Sequence, residues 1–189
     1  MSAATGQAWE VSLVTRLASG TQQDRAQALK ELFDAYGETT HRLAYHLTGS
    51  SPDAEEVTQE VFLAAFTSLG RFRGEARLKT WLYRVTVRCA GRLRARRPPA
   101  ASDSASLAEL PAPSQVDPAI RAEQREALAQ AMQSLSLAHR TVLALFALKG
   151  LSHQEISEIL GIPEGTVWSR LHAARKKLAL ELTSRGLEP

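Results

Sequence analysis

The chain has few of the residues that proteins use for cross-links, metal sites or catalysis. Its 189 residues include one cysteine, Cys89, so no disulfide can form within the chain, which is typical of the reducing cytoplasm. The five histidines are scattered without the spacing of a metal site. The sequence contains neither a glycine-rich phosphate loop after a strand nor a Gly-x-Ser-x-Gly turn. These absences argue against an enzyme and predict neither a cofactor nor a metal.

Long apolar segments are also missing. No apolar run approaches the ~20 residues that a membrane-spanning helix needs. Residues 1–7 lack the basic start and apolar stretch of a signal peptide. Aromatic residues are only 6% of the chain, and no useful alternating strand pattern occurs, although 44% hydrophobic residues suffice for a core. We therefore expect an all-α, cytoplasmic protein without membrane insertion.

Positive charge is concentrated in one block. The net charge is only +3, but residues 77–97 contain no acidic residue and eight basic ones. Such a block indicates binding to nucleic acid or to another anionic surface. The basic residues are Arg77, Lys79, Arg84, Arg88, Arg92, Arg94, Arg96 and Arg97.

A proline-rich segment divides the chain. Residues 98–118 contain five of the eight prolines, three acidic residues and no basic residue. This composition is typical of a flexible linker. We expect two small helical domains, residues 1–97 and 118–189, joined by a linker over residues 98–117.

Apolar spacing and capping residues predict the helices. Residues 1–8 are expected to be loose, and a break is allowed at Gly37, since glycine weakens a helix interior. In the basic helix, we expect the arginines to face outward and Tyr83 to lie between the buried and exposed faces. The predicted helices are Trp9–Ala18, Asp24–Leu47, Asp53–Leu69, Leu78–Arg97, Ala119–Met132 and Leu137–Lys149, followed by two helices within residues 152–178.

Residues 152–178 have the pattern of a helix-turn-helix. Ser152 and Glu155 form a capping box, and Gly161 suits the left-handed C-cap of the first helix. Pro163 suits the first position of the second helix, which is basic. An ordinary antiparallel helix pair would give a similar pattern, but the basic second helix favours a DNA reader that enters the major groove.

Three other features each allow two interpretations. The acidic start of the helix from Asp53 either stabilises the helix dipole or forms a docking face for a basic partner. Trp81, Phe72 and Tyr83 are either core residues or a surface on which unpaired bases stack. Cys89 is either a small packed residue or a thiol activated by the neighbouring arginines.

Two stretches, residues 53–85 and 151–178, together resemble the bacterial RNA polymerase sigma factors of the extracytoplasmic-function type. Their order, their spacing and the proline-rich linker between them also resemble that family, and the similarity covers nearly the whole chain. The resemblance implies two helical domains, sigma region 2 and sigma region 4. It implies a transcription initiation factor that binds core RNA polymerase, through the β′ clamp and the β flap, and promoter DNA. An anti-sigma factor is a common further partner in the family.

The resemblance also implies roles for particular residues. The polymerase-binding residues would be Asp53, Glu56, Gln59 and Glu60. The residues that read and hold the −10 strand would be Phe72, Arg73, Lys79, Trp81, Arg84, Arg88 and Arg92. The residues nearest the −35 element would be Thr166, Trp168, Ser169, Arg170, His172, Arg175 and Lys176.

Two departures from the family pattern affect promoter preference. Trp168 stands where many relatives have an arginine, so the chain either prefers a different −35 sequence or uses Trp168 against a thymine methyl group. Val87 and Arg88 replace a common Arg-Asn pair, which bears on the −10 preference. The competing interpretations are a stand-alone helix-turn-helix regulator and, with less support, a helical RNA-binding module.

Overall fold

The computed structural model describes residues 3–69, 77–96 and 118–187, and all regular secondary structure in these ranges is helical. α6 continues into a π-helical turn, Ala144–Leu148. The all-α prediction is therefore confirmed. The helices are α1 (Ala3–Ser19), α2 (Gln22–Thr48), α3 (Ser51–Ser68), α4 (Leu78–Arg96), α5 (Pro118–Ser134), α6 (Leu137–Leu143), α7 (His153–Leu160) and α8 (Glu164–Ser184).

Several details of the predicted helices were wrong. α1 begins at Ala3, where the chain was expected to be loose. α2 passes through Gly37 without the break that was allowed there, and the Phe33 ring lies close to Gly37. Phe33 itself is 52% exposed. The predicted helix Leu137–Lys149 is α-helical only as far as Leu143, since a π-turn follows.

Capping residues fix the junction between α2 and α3. α2 ends at Gly49, which has the left-handed conformation with a φ of 79°. Ser50 then caps α3, and its side chain accepts a hydrogen bond from the Asp53 amide. A Cβ at Gly49 would clash with the end of the Gln133 side chain on α5, which would have to move, and the positive φ favours glycine here in any case.

The helices form two bundles, α1–α4 and α5–α8, that share one continuous core. α2 contacts α5, α6 and the π-turn, and α4 contacts α7. Tyr83, expected between the two faces of α4, is fully buried, and so is Thr86, while Trp81 is half-buried. Tyr83 and part of Trp81 therefore pack in the core of the first bundle. Core side chains include Leu32, Leu43, Val61, Leu82, Leu145, Ile156 and Leu171.

Candidate nucleic-acid interface

The turn between α7 and α8 forms as the sequence predicts. The Ser152 hydroxyl accepts from the Glu155 amide, and the Glu155 carboxylate accepts from the Ser152 amide at 2.9 Å. Gly161 is left-handed, with a φ of 64°, and its amide donates to the Ser157 carbonyl at 2.8 Å. Pro163 lies one position earlier than predicted, because it is the N-cap of α8 rather than its first residue.

α8 has one buried face and one solvent-facing polar face. Val167, Leu171 and Ala174 are buried against α6 and α7, and Leu178 is partly buried. Thr166 and Arg170 lie at the border, half-exposed. This division follows from the spacing of the apolar residues 167, 171, 174 and 178, which recur at i, i+4, i+7 and i+11 along the helix. The exposed residues include Glu164, Trp168, Ser169, His172, Arg175 and Lys176.

The exposed face of α8 carries a flat aromatic pair. The rings of Trp168 and His172 are stacked, with centroids 5.7 Å apart and planes 7° from parallel. Trp168 is nonetheless 61% exposed, which is unusual for so large an apolar side chain. The Ser169 hydroxyl donates to the Thr166 carbonyl at 3.0 Å within the helix. The stacked pair is therefore accessible from solvent.

Arg175 is oriented by the π-turn. Its guanidinium lies 4.8 Å from the centroid of the Phe146 ring. Phe146 in turn stacks on His153 of α7, with a centroid distance of 5.6 Å. These contacts restrain an otherwise flexible cation on the same face as Trp168.

The cations of α4 are engaged with the protein more than those of α8. Lys79 lies over the Tyr83 ring at 5.7 Å, and the Arg84 guanidinium donates to the Glu158 carbonyl of α7 at 2.7 Å. Arg88 is exposed. The predicted −10 residues on α4 therefore lie along one helix, but Arg84 already contacts the other bundle.

Glu60 and Arg92, predicted to serve different partners, contact each other. The Glu60 carboxylate accepts from Arg92 at 3.1 Å and lies 4.0 Å from Arg96. The hydrogen bond with Glu60 raises the pKa of Arg92. Arg92 also approaches the sulfur of Cys89 at 3.2 Å, and burial raises the pKa of that thiol. Glu60 thus joins the acidic face of α3 to the basic helix α4.

The four residues predicted to bind polymerase all lie near the start of α3. Gln59 is exposed, whereas Asp53, Glu56 and Glu60 are half-exposed. Their spacing places them along one side of the helix, next to the exposed Leu63. Acidic residues in this first part of the helix also interact favourably with its dipole.

Two of the predicted −10 residues and the predicted linker lie outside the described residues. These are Phe72 and Arg73, together with residues 98–117. Within residues 3–69, 77–96 and 118–187, the acidic, cysteine and histidine side chains form no group of three suited to a metal ion. In the same ranges, no helix has both the length and the hydropathy to cross a bilayer.

Arg140 joins the two bundles and was not predicted as a key residue. Its side chain is fully buried, and it donates to the Leu47 carbonyl at the end of α2 at 2.9 Å. It also donates to the carbonyls of Gln133 and Leu135, at 2.6 and 3.1 Å, and to the Gln133 side chain. Burial, with a smaller effect of Arg94, lowers the pKa of Arg140 to about 10. All of these acceptors are neutral oxygens, and the buried Nε has no hydrogen-bond partner.

A second set of basic groups, only partly exposed, lies beside the same contact. Lys149 donates to the Thr39 carbonyl of α2 at 3.1 Å. Burial and the nearby charges of Arg42 and Lys79 lower the pKa of Lys149 to about 8. Burial, followed by the charge of Lys149, lowers the pKa of His46 to about 4. Packing the two bundles together thus places several basic groups in poorly solvated positions, which costs free energy.

Only one feature of the sequence indicates that Arg140 is buried between the two bundles. Arg140 is a cation within the apolar run of residues 137–148, a position that suggests a buried, partnered charge. Periodicity within a helix cannot identify a partner such as Leu47, which is 93 residues away.

Two family models match the chain, one in each bundle. Sigma-70 region 2 matches residues 32–97, and Sigma-70, region 4 matches residues 125–178. The first match includes α3 and α4, and the second includes the whole helix-turn-helix.

Curated relatives carry the same assignment. The ECF RNA polymerase sigma factor SigW of Bacillus subtilis is 31% identical over 166 residues, which are 82% of this chain and 89% of that protein. SigL of Mycobacterium tuberculosis is 32% identical over 174 residues, covering 89% of this chain and 97% of SigL. SigE of Mycolicibacterium smegmatis is 36% identical over 167 residues, which cover 84% of this chain but only 63% of SigE.

Two solved structures have the same fold. CnrH, solved in complex with the cytosolic domain of CnrY, superposes with a TM-score of 0.68 at 25% identity, covering 93% of this chain and 98% of CnrH. The sigma factor RpoE of Bartonella quintana, solved with the anti-sigma factor NepR, gives a TM-score of 0.58 at 23% identity, covering 82% of this chain and 96% of RpoE.

The order of the two family regions, the exposed face of α8 and the near-complete coverage of SigW and SigL agree with one another. A stand-alone regulator would not account for the region 2 match. The chain therefore belongs to the extracytoplasmic-function family of bacterial RNA polymerase sigma factors, which are transcription initiation factors.

Proposed function

We propose that this protein directs core RNA polymerase to a specific set of promoters by dividing the work between its two bundles. The acidic side of α3 docks on the polymerase, α4 and the preceding residues hold the unpaired −10 strand, and α8 reads the −35 duplex. The observation that carries this proposal is the exposed, basic and aromatic face of α8 within a region 4 match, in the same chain as a region 2 match.

The docking proposal rests on the position of the acidic side chains. Gln59 is exposed and lies between half-exposed carboxylates on one side of α3. Opposite charge on a partner surface would speed association and fix its orientation. Glu60 has a further role in this scheme, because its ion pairs with Arg92 and Arg96 set the position of α4 relative to the docking face.

The −10 proposal rests on the cations and on Trp81. Arg88 and Arg92 lie on the exposed part of α4, where they can reach phosphate oxygens. Trp81 is half-buried, so one part of its ring is available for a base while the other part packs on the core. An unpaired strand held in this way would offset part of the cost of opening the duplex, which is a few kcal/mol per flipped base.

The −35 proposal rests on α8. Lys176 and Arg175 lie on the same exposed face as Trp168, about two turns further along the helix. Cations at this end can contact phosphates, while the Trp168 ring can contact a thymine methyl group in the major groove. Trp168 cannot form the paired hydrogen bonds that an arginine makes with guanine, so we expect a −35 element with thymine at the position beside it.

The packed arrangement cannot bind both elements at once. The −10 and −35 elements lie about 25 base pairs apart, or roughly 85 Å at ~3.4 Å per base pair. Here α4 and α7 are in direct contact, joined by the hydrogen bond from Arg84 to the Glu158 carbonyl. We therefore expect the bundles to separate when the protein joins polymerase and promoter, which would expose Arg84 and rehydrate Arg140.

A regulatory partner is part of the proposal. CnrH was solved with the cytosolic domain of CnrY bound, and its structure covers nearly all of this fold. We propose that an anti-sigma factor likewise binds this chain in the cytoplasm and holds it away from polymerase.

Run-off transcription tests the proposed function. Core RNA polymerase is incubated with a pool of promoter fragments, with and without the protein. We expect specific transcripts only in its presence, and their start sites define both elements. If no fragment is transcribed while the protein alone retains duplex DNA, the proposed division of roles fails.

A further inference from the structure

The N-terminal helix α1 lies outside both family matches, which begin at residue 32 and at residue 125. It is nevertheless firmly packed. Leu13 and Leu17 are 0% and 1% exposed in the core of the first bundle. Arg16 forms a bidentate ion pair with Glu31 of α2, with N–O distances of 2.9 and 2.5 Å. α1 therefore has a fixed position from which its other side chains can act.

The start of α4 needs an acceptor that its own N-cap residue cannot provide. The Arg77 carbonyl accepts the first intrahelical hydrogen bond, from the Trp81 amide at 3.1 Å, so Arg77 is the N-cap. An arginine side chain carries only donors and cannot accept from the free amides of the first turn. Leu78, the first residue of the helix, is 1% exposed, so an unpaired amide there would be costly.

Glu10 of α1 supplies this acceptor. One carboxylate oxygen accepts from the Leu78 amide at 3.4 Å, and the other accepts from the Tyr36 hydroxyl at 3.1 Å. The Tyr36 ring lies 6.2 Å from that of Trp9, also on α1. Burial and the Glu10 charge raise the pKa of Tyr36 to about 12, so the phenol remains a donor. A carboxylate at this point also interacts favourably with the positive end of the α4 dipole.

We propose that Glu10 is a positioning residue for −10 recognition. Glu10 caps α4 from a separate helix and so fixes the direction of the first turn of α4. That turn carries Lys79 and leads to Trp81, so an uncapped start would leave both side chains less well placed. The role in −10 recognition rests on the proposed function, whereas the capping contact itself does not.

Amide hydrogen exchange of Leu78 tests the contact directly. In Glu10→Ala, we expect exchange at Leu78 to rise by about five- to tenfold, the ratio that corresponds to loss of a typical N-cap. Glu31→Gln is the matched control, because it weakens the attachment of α1 to α2 through Arg16 without removing the carboxylate at α4. The control should leave exchange at Leu78 within twofold of the wild type.

A second substitution provides a rescue that general loosening of α1 would not show. Arg77→Ser places a hydroxyl acceptor at the N-cap itself, where it can accept from the amide of Lys79 or Thr80. In the double variant with Glu10→Ala, we expect this second cap to restore protection of the first turn at Lys79 and Thr80, while the Leu78 amide stays without its acceptor. In polymerase complexes, Glu10→Ala should reduce permanganate reactivity of the unpaired −10 thymines several-fold, and Arg77→Ser should restore it. Binding of α8 to a −35 duplex should be unchanged throughout.

The outcomes separate the two proposals. Unchanged exchange in Glu10→Ala, an equal effect in Glu31→Gln or a failed rescue would overturn the role of Glu10. Normal promoter opening by Glu10→Ala would overturn its part in −10 recognition while leaving the proposed function intact. If the wild-type protein opens no promoter, the proposed function fails, and Leu78 exchange still decides whether Glu10 caps α4.

Discussion

The two basic helices, α4 and α8, differ in how their charges are used within the free protein. Cations of α4 contact neighbouring groups, including Arg84 with the Glu158 carbonyl and Arg92 with Glu60. The exposed face of α8 carries Trp168, His172 and Lys176 toward solvent. On the proposed function, α8 would meet duplex DNA as it stands, whereas α4 would first have to be released from α7.

The largest expected effect concerns the acidic face of α3, which is proposed to bind core polymerase. Asp53→Lys with Glu56→Lys reverses charge on the proposed docking surface, and we expect binding to core polymerase to fall by at least about 100-fold, since like charges would now face each other. Binding of the same variant to −35 duplex DNA should be unchanged. Affinity measurements with labelled protein would check both. Retained polymerase binding would show that docking occurs elsewhere.

Arg140 tests the contact between the bundles. Arg140→Met keeps much of the side-chain volume but removes hydrogen bonds to Leu47, Gln133 and Leu135. We expect roughly 2–4 kcal/mol of destabilisation, because several buried carbonyls lose their donor. Denaturant unfolding would measure it. Lys149→Met removes a single contact, with Thr39, and should cost less.

Low pH should lower the free energy of unfolding through His46, which lies beside the contact between the two bundles. The pKa of His46 in the fold is about 4, below its usual 6.5, so the folded state favours the neutral ring. The associated stability, about 3 kcal/mol at ~1.36 kcal/mol per pKa unit, is fully present above pH 6.5 and is lost as the pH falls through 4. Unfolding measured between pH 7 and 4 should show this loss. His46→Gln should flatten the profile, whereas His172→Gln, on the exposed face of α8, should leave it unchanged.

Trp168 should give the smallest effect, confined to α8. We expect Trp168→Ala to weaken binding to a selected −35 duplex by about five- to tenfold, the size of about one base contact. Replacing the neighbouring thymine by deoxyuridine removes only its methyl group, and should weaken the wild type but not the variant. Equal losses in both proteins would contradict contact between Trp168 and that methyl group.

The sequence was most informative where structure depends on neighbours along the chain. The capping box of Ser152 and Glu155, the left-handed Gly161 and the exposed face of α8 were all predictable, because each follows from local spacing. The resemblance supplied the fold and the family. It did not test the individual polymerase- and DNA-binding residues, which stay predictions.

Contacts between distant segments were not predictable in this way. Nothing near Arg140 indicates that it reaches Leu47, and nothing near Glu10 indicates that it reaches Leu78. The exposure of Phe33 and the full burial of Tyr83 also depend on how helices pack rather than on the period of one helix. Such features require the three-dimensional arrangement, since tertiary contacts override local pattern.

The separation of the two bundles is the most direct test of the account. Spin labels at Ala26→Cys on α2 and Leu180→Cys on α8 would sit at exposed positions, while the native Cys89 is buried. Pulsed electron paramagnetic resonance would then measure the distance between labels in the free protein and in the polymerase–promoter complex. The account predicts a single short distance between the labels in the free protein. In the complex, this distance should increase by tens of ångströms, because the two bundles would bind promoter elements roughly 85 Å apart. An unchanged distance in a complex that is active in transcription would contradict it.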